Sequence, residues 1–315
     1  MLDDVFPSCD PARTRSARRV GADMSDKTIA VIGLGNMGGA MAANLVKAGY
    51  EVLGFDPVPA AQARARENGI EVTADGPAAA ARADIILTML PNATYVREAW
   101  AALLPAAKPG ALIADSSTVD VETARALHAM AAEAGLQSVD APVSGGVAGA
   151  QAAKLTFMLG GADEAAERIA PVLAALGQKT VRCGDAGAGQ AAKICNNMIL
   201  GVNIVAVSEA FALAEKLGLS AQAMFDVASG STGQCWALTS YCPVPGIVPT
   251  APSNNDYKPG AAATMLLKDL LLAQEAAGSV AANTPLGTHV TEIYEKFVAD
   301  GHGDEDFSAI IKSLR

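Results

Sequence analysis

The chain has 315 residues, enough for one large domain or two domains of ordinary size. Hydrophobic residues make up 51% of it and aromatic residues only 4%, a balance typical of the core of an α/β enzyme. The formal charge of −10 argues against nucleic acids and anionic membranes as partners.

The first 26 residues differ in composition from the rest of the chain. Their arginines, between positions 13 and 19, resemble a transit peptide. Asp3, Asp4 and Asp10 argue against that interpretation, and the segment has no apolar secretory core. We therefore predict a disordered tail over residues 1–26, with Met24 as an alternative first residue.

From residue 27 to residue 188, apolar strands alternate with helices. We predict strands at 28–32, 50–56, 70–72, 84–90, 111–115, 137–140, 155–159 and 180–183. Helices are predicted up to Ala48 and over 60–68, and Ala-rich helical stretches lie between most of the other strands. Near-continuous apolar strands in this arrangement indicate a parallel sheet with helices on both faces.

After Gly189 the pattern changes to periodic helix, broken by a Pro/Gly-rich loop over 242–260. We place the domain boundary there, dividing the chain into residues 27–188 and 189–315. The stretch 194–214 is apolar enough to suggest a membrane span, but it contains Asn196, Asn197, Asn203 and Glu209. Because polar groups are costly in lipid, we predict a helix buried between domains or subunits and no membrane partner.

The cysteines and histidines give no sign of disulfides or metals. The five cysteines are scattered and form no C-x-x-C pair, which predicts free thiols in a reducing cytoplasm. None of the three histidines has metal-ligand spacing. We therefore expect no metal site and no histidine acid/base.

A glycine-rich turn follows the first strand and opens the first helix. Its residues fit G-x-G-x-x-G: Gly33, Leu34, Gly35, Asn36, Met37 and Gly38. In this context the first glycine allows the tight turn, the second lets a pyrophosphate approach, and the third lets helix and strand pack closely. The free N–H groups of the helix then face the phosphates. A dinucleotide site is favoured over a turn that binds nothing.

Asp56 ends the second strand, 18 positions after Gly38. A carboxylate there accepts hydrogen bonds from the adenosine ribose and repels a 2′-phosphate. No arginine follows until Arg64. NAD is therefore favoured over NADP, although Asp56 could instead only cap the turn.

Further candidates follow the carboxyl ends of later strands, the edge where open α/β sheets bind ligands. Leu90, Pro91 and Thr118 are expected to contact the nicotinamide half of the cofactor. One residue of the segment 115–118 is also expected to cap the helix that begins near Asp120.

Ser144, Gly145 and Gly146 follow the strand over 137–140 and offer a hydroxyl and unobstructed backbone N–H groups. Such a turn suits a substrate carboxylate, although an ordinary glycine-rich connection would look the same.

Lys193 and Asn197 are four residues apart, so they share a helix face. Lys193 lies near the start of a long apolar helix, where the helix dipole and burial would both lower its pKa toward the range of a general base. Lys268 places a second cation in an apolar setting, although Lys268-Asp269 alone would read as a surface pair.

Three segments together resemble the 3-hydroxyacid dehydrogenase family: residues 31–45, 140–146 and 187–197. The resemblance covers nearly everything from Lys27 to Arg315. A narrower set of segments (235–236, 241–246, 254–257, 268–270 and 306–308) resembles the branch that acts on 3-hydroxyisobutyrate. Ala237 and Cys242 stand where that branch would have small polar residues.

The resemblance implies the fold: a Rossmann-type doubly wound parallel sheet followed by an all-α C-terminal domain, joined by a long helix. Residues 27–188 would bind the dinucleotide, and residues 189–315 would serve substrate binding and oligomerisation, as a homodimer or homotetramer.

It also implies roles for single residues. Lys193 would be the catalytic acid/base and Asn197 would hold the substrate beside it. Ser144, Gly145 and Gly146 would bind the carboxylate, and Trp236 could close the pocket, although a core tryptophan is also possible. Leu90, Pro91, Thr118 and Lys268 would line the cofactor.

The expected reaction is NAD-dependent oxidation of 3-hydroxyisobutyrate to methylmalonate semialdehyde in the cytoplasm. One alternative is reduction of tartronate semialdehyde, or the chemistry of another short 3-hydroxyacid. An alternative of another class is a non-catalytic NAD-binding sensor, which would not need Lys193, Asn197 and the Ser144 loop together.

Overall fold

The structure is a computed structural model that describes residues 27–315. The predicted tail, residues 1–26, lies outside the described residues. The described part begins with alternating strands and helices and continues from Ala188 almost entirely as helices.

Within residues 27–315, nine strands form one sheet. They are β1 (Thr28–Ile32), β2 (Glu51–Phe55), β3 (Glu71–Val72), β4 (Ile85–Thr88), β5 (Leu112–Asp115), β6 (Gln137–Asp140), β7 (Val143–Ser144), β8 (Leu155–Gly161) and β9 (Gly177–Gly184). The first six strands lie in the order β3-β2-β1-β4-β5-β6 and are parallel. This is the strand order of a Rossmann sheet, and it confirms the predicted fold class.

The sheet is mainly parallel, as predicted, but two of its strand pairs are antiparallel. Strand β8 runs antiparallel to β6 and to the two-residue strand β7, and β9 then pairs parallel with β8. A parallel neighbour needs a crossover that returns the chain to the far end of the sheet, usually a full helix. Between β6 and β8 the chain forms only β7 and a six-residue helix, so it turns back instead.

Helices cover both faces of the sheet and form the C-terminal region. They are α1 (Asn36–Lys47), α2 (Pro59–Glu67), α3 (Gly76–Ala80), α4 (Ala93–Leu103), α5 (Val121–Glu133), α6 (Gly146–Gln151), α7 (Asp163–Leu176), α8 (Ala188–Lys216), α9 (Ala221–Ser229), α10 (Trp236–Thr239), α11 (Ala263–Ser279), α12 (Pro285–Phe297) and α13 (Ile311–Leu314).

The hydrophobic core has three parts. Alternate residues of β1 enter two different clusters, Ile29 and Val31 on one face of the sheet and Ala30 and Ile32 on the other, as the pleat requires. A third cluster joins α8 to α11 and α12 in the C-terminal region. Burial on both faces explains why the strands read as continuous apolar runs.

Helix α8 spans 29 residues and packs against β8, α11 and α12. Its length and apolar composition alone would allow it to cross a membrane. Half of the most apolar 18-residue stretch of the helix is buried inside the protein, however. The buried face of the helix includes the polar side chains of Gln190, Lys193 and Asn197. The helix is therefore the element that brings polar groups from the C-terminal region to the sheet.

The carboxyl edge of the sheet is stiffened by a buried acid, Asp115, at the end of β5. Its Oδ1 accepts hydrogen bonds from Ser117 Oγ (2.6 Å) and Thr88 Oγ1 (2.7 Å), and Ser117 Oγ in turn accepts the backbone N–H of Leu90 (2.8 Å). Its Oδ2 has no partner among the described residues. Burial raises the pKa of Asp115 to about 6, because it favours the neutral form, and nearby Asp140 acts in the same direction.

The raised pKa makes the stability of the fold depend on pH. The folded state holds the Asp115 proton between the ordinary value of 3.8 and about 6, so this group's contribution falls as pH rises through that window. The unfolding free energy of the wild type should fall by about 1 kcal/mol between pH 5 and pH 8 because of Asp115, and Asp115→Asn should lack this part of the fall. Urea titrations of both proteins at the two pH values measure it. Equal pH dependence in the two proteins would contradict the burial effect.

Candidate functional site

The glycine-rich turn between β1 and α1 has the shape of a dinucleotide cradle. Gly33 has φ +95°, and a Cβ added there would collide with the carbonyl oxygen of Met89, while one at Gly38 would collide with the carbonyl of Gly33. By contrast, Gly35 has nothing within 4 Å of that position. Gly35 is also the N-cap residue of α1, and no side chain caps the N-terminus of this helix. The space above an uncapped helix N-terminus fits a pyrophosphate.

Asp56 lies at this turn, and besides the predicted position it accepts hydrogen bonds from two backbone N–H groups that the sequence did not predict. The carboxylate is 8% exposed and accepts the backbone N–H of Leu34 at 2.7 Å and of Val58 at 2.8 Å. Each carboxylate oxygen has a second acceptor position. Asp56 therefore holds the glycine-rich turn in place and keeps acceptors for ribose hydroxyls.

Leu90, Pro91 and Thr118 lie at the carboxyl ends of the neighbouring strands β4 and β5. The N–H of Leu90 is held by Ser117, Pro91 is exposed, and the carbonyl of Thr118 accepts a hydrogen bond from Lys268 Nζ at 3.1 Å. The capping expectation for residues 115–118 is wrong. Helix α5 is capped by Asp120, which accepts the N–H of Thr123 at 2.6 Å.

Lys193 lies in the second turn of α8 and is only 8% exposed. Its amine makes no hydrogen bond to residues 27–315. Burial lowers the pKa of Lys193 from its ordinary value of 10.5; the charge of Asp269 opposes this shift and that of Lys268 adds to it. The helix dipole and burial were both expected to lower this pKa, and in the structure burial lowers it most.

Asn197 points its amide at an acid from another helix. Its Nδ2 donates to Asp269 Oδ2 at 2.5 Å, and its Oδ1 accepts from Asn196 at 3.2 Å. The other oxygen of Asp269 lies 3.3 Å from Lys268 Nζ, close enough for an ion pair, but it receives no hydrogen bond. Lys268 therefore connects the strand-end loop at Thr118 to the pair Asn197–Asp269.

Asp269 is the site residue that the sequence argument missed. Lys268-Asp269 has the appearance of a surface pair, but Asp269 is only 16% exposed at its side chain. The available signal was a Lys-Asp pair between two apolar runs of one helix, 265–267 and 270–273.

Two other predicted groups make no hydrogen bond to this cluster within the described residues. Ser144 ends β7 half-buried, and Gly145 (φ +128°) and Gly146 (φ +60°) follow it with exposed backbones. Trp236 begins α10, is 52% exposed, and stacks on Tyr241 with ring centroids 5.0 Å apart. Within residues 27–315, neither Ser144 nor Trp236 is hydrogen-bonded to Lys193 or Asn197.

No group of three or more His, Cys, Asp or Glu side chains in the described part of the chain is arranged to hold a metal ion. The polar groups at the sheet edge are instead donors and acceptors suited to a dinucleotide and a small polar substrate.

Two family models match the chain. Residues 28–184 match the NAD binding domain of 6-phosphogluconate dehydrogenase. Residues 187–314 match the model described as NAD-binding of NADP-dependent 3-hydroxyisobutyrate dehydrogenase.

Two relatives match over nearly the full length of the chain. A protein named probable 3-hydroxyisobutyrate dehydrogenase from Mycobacterium tuberculosis is 54% identical over 288 residues, 91% of this chain and 98% of the relative. The NAD-dependent L-serine dehydrogenase of Pseudomonas aeruginosa is 42% identical, over 91% of this chain and 97% of that protein.

A solved structure supports the same family relationship as these two relatives. The Mycobacterium tuberculosis 3-hydroxyisobutyrate dehydrogenase with L-serine superposes with a TM-score of 0.88 at 54% identity, covering 92% of this chain and 99% of that one. The resemblance found in the sequence is thereby confirmed, and the chain belongs to the 3-hydroxyisobutyrate dehydrogenase family.

Proposed function

We propose that this protein is an NAD-dependent dehydrogenase that oxidises 3-hydroxyisobutyrate to methylmalonate semialdehyde. The observation that carries the proposal is the Lys193 side chain, which is only 8% exposed, makes no hydrogen bond within residues 27–315 and lies one helical turn from Asn197. Keeping a lysine largely out of water without an ion pair is costly, so a protein that only binds NAD would have no reason to keep it. The names of the relatives support the substrate.

Lys193 acts as the general acid/base. Burial favours its neutral form, which takes the proton from the primary hydroxyl of the substrate. Asn197, held by Asp269, orients the substrate oxygen beside the amine. The nicotinamide cofactor, when bound, accepts the hydride. Ser144, Gly145 and Gly146 bind the carboxylate, and Trp236 closes the pocket over the methyl group.

The cofactor-binding residues follow from the glycine-rich turn and the strand ends. Residues 33–38 hold the pyrophosphate, and Leu90, Pro91, Thr118 and Lys268 line the nicotinamide half. We propose NAD, because the carboxylate of Asp56 lies at the glycine-rich turn, where it would accept hydrogen bonds from an adenosine ribose and would repel a 2′-phosphate. One matching family is described as NADP-dependent, so the choice calls for a direct measurement.

We assign dinucleotide binding to residues 27–188, and substrate binding and oligomerisation to residues 189–315. Exposed apolar side chains on α8, Ile199 and Leu213 at 59% each, support a homodimer or homotetramer. The cysteines of the described residues are free thiols, which supports a cytoplasmic location.

L-Serine is a second candidate substrate. A relative is named as an L-serine dehydrogenase, and the superposed structure holds L-serine. Serine has the same 3-hydroxy acid skeleton, with an ammonium group where 3-hydroxyisobutyrate has a methyl group.

A substrate panel with both cofactors separates these candidates. We expect the highest kcat/KM with 3-hydroxyisobutyrate and NAD, a lower value with L-serine, and the lowest with glycerate, read as NADH absorbance. With NADP the value should fall by about 10-fold or more, since a charge repulsion of about 1.4 kcal/mol has that effect. Preference for serine or for NADP would overturn the corresponding assignment, and NAD binding without any turnover would favour the sensor.

Removal of the Lys193 amine tests its chemical role. We expect Lys193→Ala to lower kcat by roughly 10²–10⁴-fold, the usual contribution of a positioned proton acceptor. NAD affinity, measured by fluorescence titration, should not change, because the glycine-rich turn is intact. Lys216→Ala, at the exposed end of the same helix, is the matched control and should keep full activity. Near-normal turnover in Lys193→Ala would remove Lys193 from the mechanism.

The lowered pKa of Lys193 predicts the pH profile. Because only the neutral amine accepts a proton, kcat/KM for oxidation should rise with pH and level off above the pKa of Lys193, at a midpoint below 10.5. Residual activity of Lys193→Ala should lack this rise. The same rising limb in both proteins would show that another group titrates.

A further inference from the structure

Helix α8, which carries Lys193, has no cap of its own. Its N-cap residue, Gly187, has φ +83° and offers no side chain. The missing acceptors come from Asp140 at the end of β6. Asp140 Oδ1 accepts the N–H of Gly187 at 2.9 Å, and its Oδ2 accepts the N–H of Gln190 at 2.9 Å. A carboxylate from the sheet thus satisfies the first turn of the helix.

The helix approaches the sheet so closely that two glycines are required. A Cβ at Gly189 would collide with the carbonyl oxygen of Met158, and one at Gly160 would collide with the carboxylate of Asp140. Asp140 itself is 2% exposed. The contact therefore leaves the first turn of α8 little freedom to shift.

A histidine on α5 fixes the carboxylate in turn. His128 Nε2 lies 3.0 Å from Asp140 Oδ1, and Ser138 Oγ lies 2.7 Å from His128 Nδ1. With Nε2–H donating to the carboxylate, Nδ1 accepts the Ser138 hydroxyl proton. Both oxygens of Asp140 are then held by N–H donors.

The side chain of Gln190 ties the same turn to the strand-end loop. Its Nε2 donates to the carbonyl of Ser117 at 2.7 Å, and its Oε1 accepts the N–H of Val119 at 3.2 Å. These two residues flank Thr118. Because Lys193 follows Gln190 by three residues, one turn of helix sets the distance from the Lys193 backbone to this loop.

We propose that Asp140 is a positioning residue for the reaction: its carboxylate holds the first turn of α8 so that the Lys193 amine meets the substrate at the cofactor edge. Asp140 acts through the backbone N–H groups of Gly187 and Gln190, and within the described residues it makes no hydrogen bond to Lys193. The inference rests on the proposed role of Lys193 as acid/base.

Asp140→Asn tests the proposal with almost no change in volume. Whichever way the new amide turns, its NH2 group meets an N–H donor, either Gly187 and His128 on one side or Gln190 on the other. We expect kcat to fall by about 10- to 100-fold, the effect of a small displacement of a catalytic group. The Kd for NAD should change much less than kcat, since residues 33–38 and 56 make no hydrogen bond to Asp140. A loss confined to folding stability would leave kcat of the folded enzyme normal.

Two further variants control the measurement. Ser220→Ala removes the side-chain cap of α9, where Ser220 Oγ accepts the N–H of Ala223, and should leave kcat unchanged. His128→Phe keeps the Asp140 carboxylate but removes its orienting partner, and should lower kcat in the same way by a smaller factor. If Asp140→Asn does not fold, His128→Phe decides, and an unchanged kcat there overturns the proposal.

Hydrogen exchange of the NAD-free protein separates this inference from the assigned reaction. Amides over residues 187–193 should exchange faster in Asp140→Asn than in the wild type, with no change over α11. Unchanged exchange, or faster exchange with normal kcat, contradicts the proposal. If the wild type oxidises none of the substrates in the panel, the proposed function fails, and the exchange experiment alone reports whether Asp140 holds the helix.

Discussion

The burial of the Lys193 amine is the constraint on which the site depends. An ammonium group taken out of water without a partner is unfavourable, and the structure offers this amine no hydrogen bond within residues 27–315. The nearby opposite charge, Asp269, is engaged with Asn197 at 2.5 Å. Burial lowers the pKa of this amine, and it lies beside Asn197, Lys268 and Asp269 at the junction of α8 and α11, a combination that supports the proposed chemical use.

Around this amine the two regions of the chain are joined by polar contacts rather than by a continuous hydrophobic core. Lys268 reaches from α11 to the carbonyl of Thr118. Gln190 and Asp140 connect α8 to the ends of β5 and β6. Since hydrogen bonds are directional, these contacts specify distances at the reacting edge that apolar packing alone would leave less defined.

Most of the fold could be predicted because short stretches of sequence determine its elements. The glycine-rich turn, the buried strands β1 to β6 and the long helix α8 each have their own pattern, period or spacing within a short window. The Lys193–Asn197 pair follows from helical geometry alone. Strand β8 was predicted at 155–159, but its antiparallel direction was not, because the direction depends on the length of the preceding connection and not on the strand's own residues.

The contacts that complete the site could not be predicted, because they join residues far apart in sequence. Asn197 and Asp269 are 72 positions apart, and Lys268 and Thr118 are 150 apart. Asp140 was read as the start of a substrate loop, but its carboxylate serves α8, which begins 48 positions later at Ala188. Asp56 was expected to bind a ribose. Its hydrogen bond from the Leu34 N–H depends on the three-dimensional path of the glycine-rich turn, which the sequence does not show. The most direct test of the central claim is a crystal structure with NADH and 3-hydroxyisobutyrate, a pair that cannot react. The Lys193 amine is expected within about 3 Å of the substrate hydroxyl oxygen; an amine directed to bulk water, away from that oxygen, would contradict it.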